Sequence, residues 1–180
     1  LIWQTHYEGE ESMKFEHELY EDLMRLTQRD AFYYKDFVLD DVPYRIFNYR
    51  LANYSDFCLP NALNCRGTMF RMKDSPKLVC LPPEKFFNVN ENPFTRDLDF
   101  SKLEMATVKE DGSLISTYIH NGKLRLKSKG ALESEHSKAA EEYLLGDAYF
   151  SEKLFDITCA GYGYTVNMEW CSPNNRIVVG

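Results

Sequence analysis

Asn121-Gly122 stands between two alternating runs, Leu114-Ile115-Ser116-Thr117-Tyr118-Ile119 and Lys123-Leu124-Arg125-Leu126-Lys127. Alternation on both sides of Asn-Gly predicts a tight antiparallel hairpin. This hairpin constrains the chain most, because it requires a sheet and fixes which residues its strands bring together. Lys109-Glu110-Asp111-Gly112-Ser113 leads into the first strand, and Ser128-Lys129-Gly130 closes the second. The ribbon is therefore expected to return Lys129 beside Lys109. A lysine with a cationic neighbour has a depressed pKa and becomes a usable nucleophile. A bare Lys-x-Asp-Gly is more often a solvated Lys–Glu pair at a strand start, so the rest of the chain has to decide.

With 180 residues the chain is long enough for one domain with a sizeable core. Its net charge of −7 excludes a basic nucleic-acid coat. Charge is uneven, however: the first thirty residues are acid-rich, and the Lys123–Lys129 stretch offers a local basic face to phosphates. Five cysteines, at 58, 65, 80, 159 and 171, include no C-x-x-C pair and do not cluster with histidines 6, 17, 120 and 136. They read as reduced structural cysteines of a cytoplasmic protein without a zinc site. No apolar run has the length of a membrane helix, and no signal-peptide pattern is present.

Phe15, Leu19, Leu23 and Leu26 recur at helical spacing, with Ser12 as the expected cap. Residues 32–38 and 44–49 predict a hairpin turned at Asp40-Asp41. The stretches 68–72 and 77–81 predict a second one turned at 73–76. Beyond the central hairpin, Ser134 opens a helix ended at Gly146, and Ser151 opens another that breaks at residues 160–163. Thr165–Cys171 predicts a strand, residues 172–175 a turn, and Arg176 the start of a further strand. Hairpins interspersed with helices predict an α+β fold built on antiparallel sheet. Met13 reads as a start. Residues 1–12 are then a tag, upstream or disordered segment, and 13–180 the domain.

Several features now fall in order. They are Tyr44-Arg45-Ile46-Phe47, Cys65-Arg66-Gly67, Glu84-Lys85-Phe86-Phe87-Asn88, Asn90-Glu91-Asn92-Pro93-Phe94, the 109–118 run, 127–130, and a late strand carrying Glu169. From about residue 16 onward the chain resembles the nucleotidyltransferase domain of the bacteriophage-type RNA ligase 1 family, the ATP-dependent tRNA-repair ligases. The resemblance implies an ATP-grasp-like covalent nucleotidyltransferase (adenylation) domain, and a three-step reaction. Lys109 would attack the α-phosphate of ATP and form a lysyl-AMP. The AMP would pass to the 5′-phosphate of an RNA, and a 3′-hydroxyl would then displace it and seal the strand.

Matching the family's motifs position by position implies roles for further residues. Asp111 and Gly112 would shape the turn that presents Lys109. Tyr49, Arg66, Lys85 and Lys129 would contact ATP, with Arg66 and Lys129 holding phosphate or nucleotide oxygens and Lys85 contacting the nucleotide. Glu169 would act beside the nucleotide or, through water, on Mg²⁺, for which Mn²⁺ could substitute. Implied partners are ATP and RNA ends, tRNA among them, for a monomer in a bacterial or phage-infected cell. The family's later motifs, a Glu-bearing strand and a Lys-x-Lys pair, are expected beyond residue 180. The 180-residue piece is accordingly a partial domain, truncated at its C-terminus and expected to adenylylate poorly by itself. Capping guanylyltransferases and DNA ligases share Lys-x-Asp-Gly but not the 85–88 and 90–94 stretches. A catalytically incomplete nucleotide- or RNA-binding remnant is the remaining alternative.

Overall fold

The structure is a computed structural model, and it describes residues 2–4, 10–159 and 164–172. Its elements in chain order are β1 (Ile2–Gln4), α1 (Glu10–Leu26), β2 (Phe32–Leu39), β3 (Val42–Tyr49), α2 (Tyr54–Phe57), β4 (Met69–Arg71), β5 (Lys77–Cys80), β6 (Ser113–His120), β7 (Lys123–Ser128), α3 (Glu135–Leu145), α4 (Ala148–Cys159) and β8 (Thr165–Trp170). Short 3₁₀ turns lie at Ala62–Asn64 and Phe100–Lys102.

The strands form two four-stranded sheets, ordered β2-β3-β4-β5 and β1-β8-β6-β7, with every described pairing antiparallel. The chain is thus α+β on antiparallel sheet. Both long hairpins turn as their residues dictate: Asp40-Asp41 and Asn121-Gly122 each place two successive residues at positive φ, the backbone that matches a two-residue turn to strand twist.

Alternation along the strands assigns each face. On β3, Tyr44 and Ile46 point at the other sheet, where Tyr44 packs edge-on against Tyr118 of β6. Phe47 points outward, into a cluster with Leu19 and Leu23 of α1 and with Phe32, Phe57 and Phe70. The outer face of the second sheet is covered by α3 and α4, through Ile115, Leu126 and Ala140 and through Leu124, Leu154 and Val166. The layers therefore run helix, sheet, sheet, helices.

The space between the sheets is unusually polar. The Leu81 N–H donates to Thr165 Oγ1 at 2.9 Å, and Ser116 Oγ donates to Asn167 Oδ1 at 2.6 Å. The Tyr44 hydroxyl and His120 Nδ1 are hydrogen-bonded at 2.7 Å, and His120 Nε2 and Asp40 Oδ2 at 3.0 Å. The Leu81–Thr165, Tyr44–His120 and His120–Asp40 bonds tie one sheet to the other at fixed register, while Ser116–Asn167 links β6 to β8 within one sheet.

Helix starts differ from the sequence reading at two places. Ser12 lies inside α1, which is already helical at Glu10. Ser151 lies inside α4, because Asp147 is the nearer acceptor: its Oδ1 takes the N–H groups of Tyr149 and Phe150 at 2.9 and 3.1 Å. Ser134 caps α3 as expected, in a reciprocal box with Ser137. The breaks and turns expected at 160–163 and 173–175, and the strand expected from Arg176, lie outside the described residues.

Candidate active site

Directly opposed residues on neighbouring strands share a face. Leu114 of β6 lies opposite Glu169 of β8, two residues along from the Ser116–Asn167 pair that looks into the inter-sheet space. On β7, Lys127 lies opposite Ser116, which puts Lys127 and Lys129 on that same face. Moving from Ser116 toward Leu114, the buried space opens to solvent: Leu114 is half-buried, and Glu169 and Lys129 are exposed. The mouth of the sandwich is thus rimmed by Lys129 and Glu169, at the end where the chain from Lys109 enters β6.

The other sheet supplies three more of the sequence-nominated residues to this mouth. Tyr49 ends β3, Arg66 precedes β4, and Lys85 follows β5. Lys129 Nζ stands 5.4 Å from the Tyr49 ring centroid, and burial raises the pKa of the Tyr49 hydroxyl against the opposing pull of the Arg66 guanidinium. Partial burial, and then the charges of Arg66 and Lys85, hold the Lys129 ammonium below the usual lysine range. Lys85 is lowered in the same direction, chiefly by burial, with Glu91 opposing and Arg66 adding to the effect. Arg66 Nη1 is buried without a hydrogen-bond partner. Three cations crowd one another here, and one carries an orphaned donor. Their mutual repulsion is relieved by an anion.

The backbone that holds this niche is tightly constrained. Gly67 has φ +96, and a Cβ there would come within 2.8 Å of the Lys129 carbonyl oxygen. Asn48, on the inter-sheet face of β3, donates from Nδ2 to that same carbonyl at 3.2 Å. These contacts end β7 at Ser128, whose N–H turns to Ala131 O. The strand therefore stops short of Gly130, where the alternation had placed its end. Aromatic rings wall the niche: Tyr49 packs edge-on against Phe57 at 5.0 Å, and Lys85 Nζ lies 4.1 Å from the Phe87 centroid.

A model of the RNA ligase family, phage T4 RNA ligase 1 type, matches residues 64–180. The chain belongs to this RNA ligase family.

In this member of the family Lys109 lies on the exposed segment that enters β6 and makes no ion pair among the described residues. The cation expected beside it, Lys129, has Arg66 and Lys85 as its charged neighbours. What ties the Lys109 segment to the rim is Gly112. A Cβ at that position would meet the Trp170 carbonyl oxygen at 2.3 Å and Cys171 Sγ at 3.1 Å. Gly112 therefore serves close approach to β8, the strand that carries Glu169, while Asp111 beside it is half-buried.

The sequence missed Asn48, Gly67 as the seat of Lys129, and the nature of Lys127. The 123–129 stretch had read as an open basic face. Instead Lys127 is 0% exposed, its ammonium donates to Ser128 O at 3.0 Å, and burial lowers its pKa. Arg125 is held by Glu141 and Glu133 on the α3 side. Lys127 has the same alternating spacing as Lys129, so no local signal separates the buried lysine from the one at the rim.

Proposed function

We propose that the protein is an ATP-dependent RNA ligase that joins 5′-phosphate to 3′-hydroxyl ends through a lysyl-AMP on Lys109, in RNA repair with tRNA as a fitting substrate. The observation that carries this reading is the convergence of Tyr49, Arg66, Lys85 and Lys129, from four separate segments, on one partly desolvated niche at the mouth beside the Lys109 segment.

In the first step the neutral Lys109 amine attacks the α-phosphorus of ATP. An N–P bond forms, the bond to the bridging oxygen breaks, and pyrophosphate leaves. Arg66, Lys85 and Lys129 stabilise the charge that builds on the phosphate oxygens, and they are already fixed before the reaction, so little reorganisation is needed. The 5′-phosphate of the RNA next attacks the lysyl-AMP phosphorus and frees the lysine. The 3′-hydroxyl finally attacks that 5′-phosphorus and expels AMP.

Among the described residues no group of three His, Cys, Asp or Glu side chains is gathered to hold a metal ion. Mg²⁺ keeps most of its waters and takes one or two carboxylates plus phosphate oxygens. Glu169, a single exposed carboxylate at the rim, fits that use through water, and Mn²⁺ would fit the same donor. The ion would supply neutralisation of the phosphate oxygens.

The test is label transfer from α-labelled ATP to the full-length protein with Mg²⁺. A labelled band that survives denaturation and vanishes in Lys109→Ala is expected, with ATP competing and GTP not. An unchanged band in the variant refutes the nucleophile. ATP binding with no adduct in the wild type favours a binding-only protein.

A further inference from the structure

Outside the cation niche, the chain exposes two aromatic rings at one spot. Tyr54 is 40% exposed and Phe94 41% exposed, with ring centroids 4.9 Å apart. One face of Phe94 is stacked on Phe87, at 5.7 Å and 20°. Phe87 in turn carries the Lys85 ammonium. The order is therefore a cation of the niche, a half-buried ring, and then an exposed ring.

This exposure is built by two independently braced segments. Asn92, buried, accepts from the Phe94 N–H at 2.9 Å, and Thr95 Oγ1 donates to Asn88 O at 2.7 Å. Asn90 N–H donates to Thr95 O at 3.0 Å, closing the loop around Phe94. Tyr54 opens α2, which Asn53 caps in a reciprocal box with Asp56. The nearby carboxylates are taken up by their own backbones: Asp56 accepts from Asn53 N–H at 2.9 Å, and Glu91 from Asn88 N–H at 2.7 Å. Lys85, Arg66 and Lys129 supply positive charge on the niche side of the rings, with Glu91 opposing it at Lys85. Exposed, rigid aromatic faces beside a cationic track have the composition of a platform for single-stranded nucleic acid, where bases stack on rings and phosphates meet the cations.

We propose that Phe94 and Tyr54 form a stacking platform for a base of the single-stranded RNA end, a short step along the strand from the phosphate held at Arg66, Lys85 and Lys129. This assignment rests on the ligase reading of the niche. It adds a site for the RNA that is separate from the one for ATP. It predicts that the two substrates respond differently to substitution on the platform.

The experiment uses the full-length protein and its Phe94→Leu, Phe94→Tyr and Tyr54→Ala variants. Two reactions are compared: label transfer from α-labelled ATP without RNA, and joining of a 5′-adenylylated oligoribonucleotide to an acceptor without ATP. Phe94→Leu and Tyr54→Ala are expected to leave label transfer within about twofold and to raise the KM for the adenylylated strand by about tenfold, the scale of one lost stacking contact. Phe94→Tyr is expected to restore it. Joining that is unchanged in both variants overturns the platform. So does Phe94→Leu matching Phe94→Tyr, because the ring would then serve packing alone. A parallel fall in label transfer overturns it as well, by assigning the ring to the nucleotide site. A change of oligomeric state in Phe94→Leu with RNA joining intact would assign the face to a second copy. Binding of a fluorescent 5′-phosphorylated oligoribonucleotide tests the platform independently of chemistry. A wild type that binds this strand through Phe94 but forms no adduct would remove the ligase reading and keep the platform.

Discussion

At the scale of single residues, the niche works because its cations are held where they repel one another. Lys85 and Lys129 are both held below the usual lysine range. A bound phosphate would raise the affinity of each lysine for its proton. Under the proposed function, ATP binding is therefore expected to be favoured on the low-pH side and to weaken as pH rises through the depressed lysine values. Titration of ATP affinity from neutral to alkaline pH checks this, and Lys129→Gln is expected to flatten the profile. The folding linkage has the opposite slope. A depressed lysine destabilises the folded state while it is charged, so its cost is relieved as pH rises through the folded value toward the unfolded one. Arg66→Lys keeps the charge but loses the planar fork that suits a phosphate. A loss of about tenfold or more in ATP affinity is expected, in line with about 1.5–3 kcal/mol for a hydrogen bond to a charged group. Little of this was legible in the sequence. Arg66, Lys85 and Lys129 could be named by motif resemblance, but Asn48, which seats Lys129, stands in an ordinary alternating strand. Burial of Lys127 and exposure of Lys129 depend on where the two sheets part, which a two-residue period does not record.

At the scale of elements, turns and strands follow local rules closely. The residues that demand positive φ, Asp40-Asp41 and Asn121-Gly122, stand where the two long hairpins turn, so both hairpins could be read from composition alone. Helix starts were read less well, because Ser12 and Ser151 are good caps in general and lost to helical sequence or a better acceptor upstream. The end of β7 is set by a long-range contact, Asn48 with the Lys129 carbonyl, which no window of the sequence contains. Gly112 links two elements at once. Gly112→Ala would press a methyl onto the Trp170 carbonyl, 2.3 Å from the ideal Cβ position, and force β6 and β8 apart. Overpacking of this kind costs about 1–3 kcal/mol. In a domain of this size that lowers Tm by about 2–4 °C per kcal/mol. Thermal denaturation of the variant is the measurement, and a Tm equal to wild type would show that the strand end yields freely.

At the scale of the whole molecule, two sheets are locked face to face by few bonds, and the candidate site lies where they part. Tyr44→Phe deletes the hydroxyl bonded to His120 Nδ1 and leaves a buried ring nitrogen without that partner. A loss of about 1–2 kcal/mol is expected. It should be read as a lower Tm with ATP affinity retained, because the bond lies at the closed end of the sandwich. The pairing pattern carries a consequence in time as well. β2 with β3 and β6 with β7 pair through local hairpins, whereas β8 must find β6, opposing Leu114 to Glu169, and β1, opposing Ile2 to Asn167. Contacts of such separation close late, because the loop entropy is lost before the contacts repay it. Every cation of the niche lies at or before Lys129, so those segments leave the ribosome before the strand that brings Glu169. A nucleotide that binds the early half would then stabilise it by mass action, so that under the proposed function ATP would aid the chain's folding before serving as its substrate.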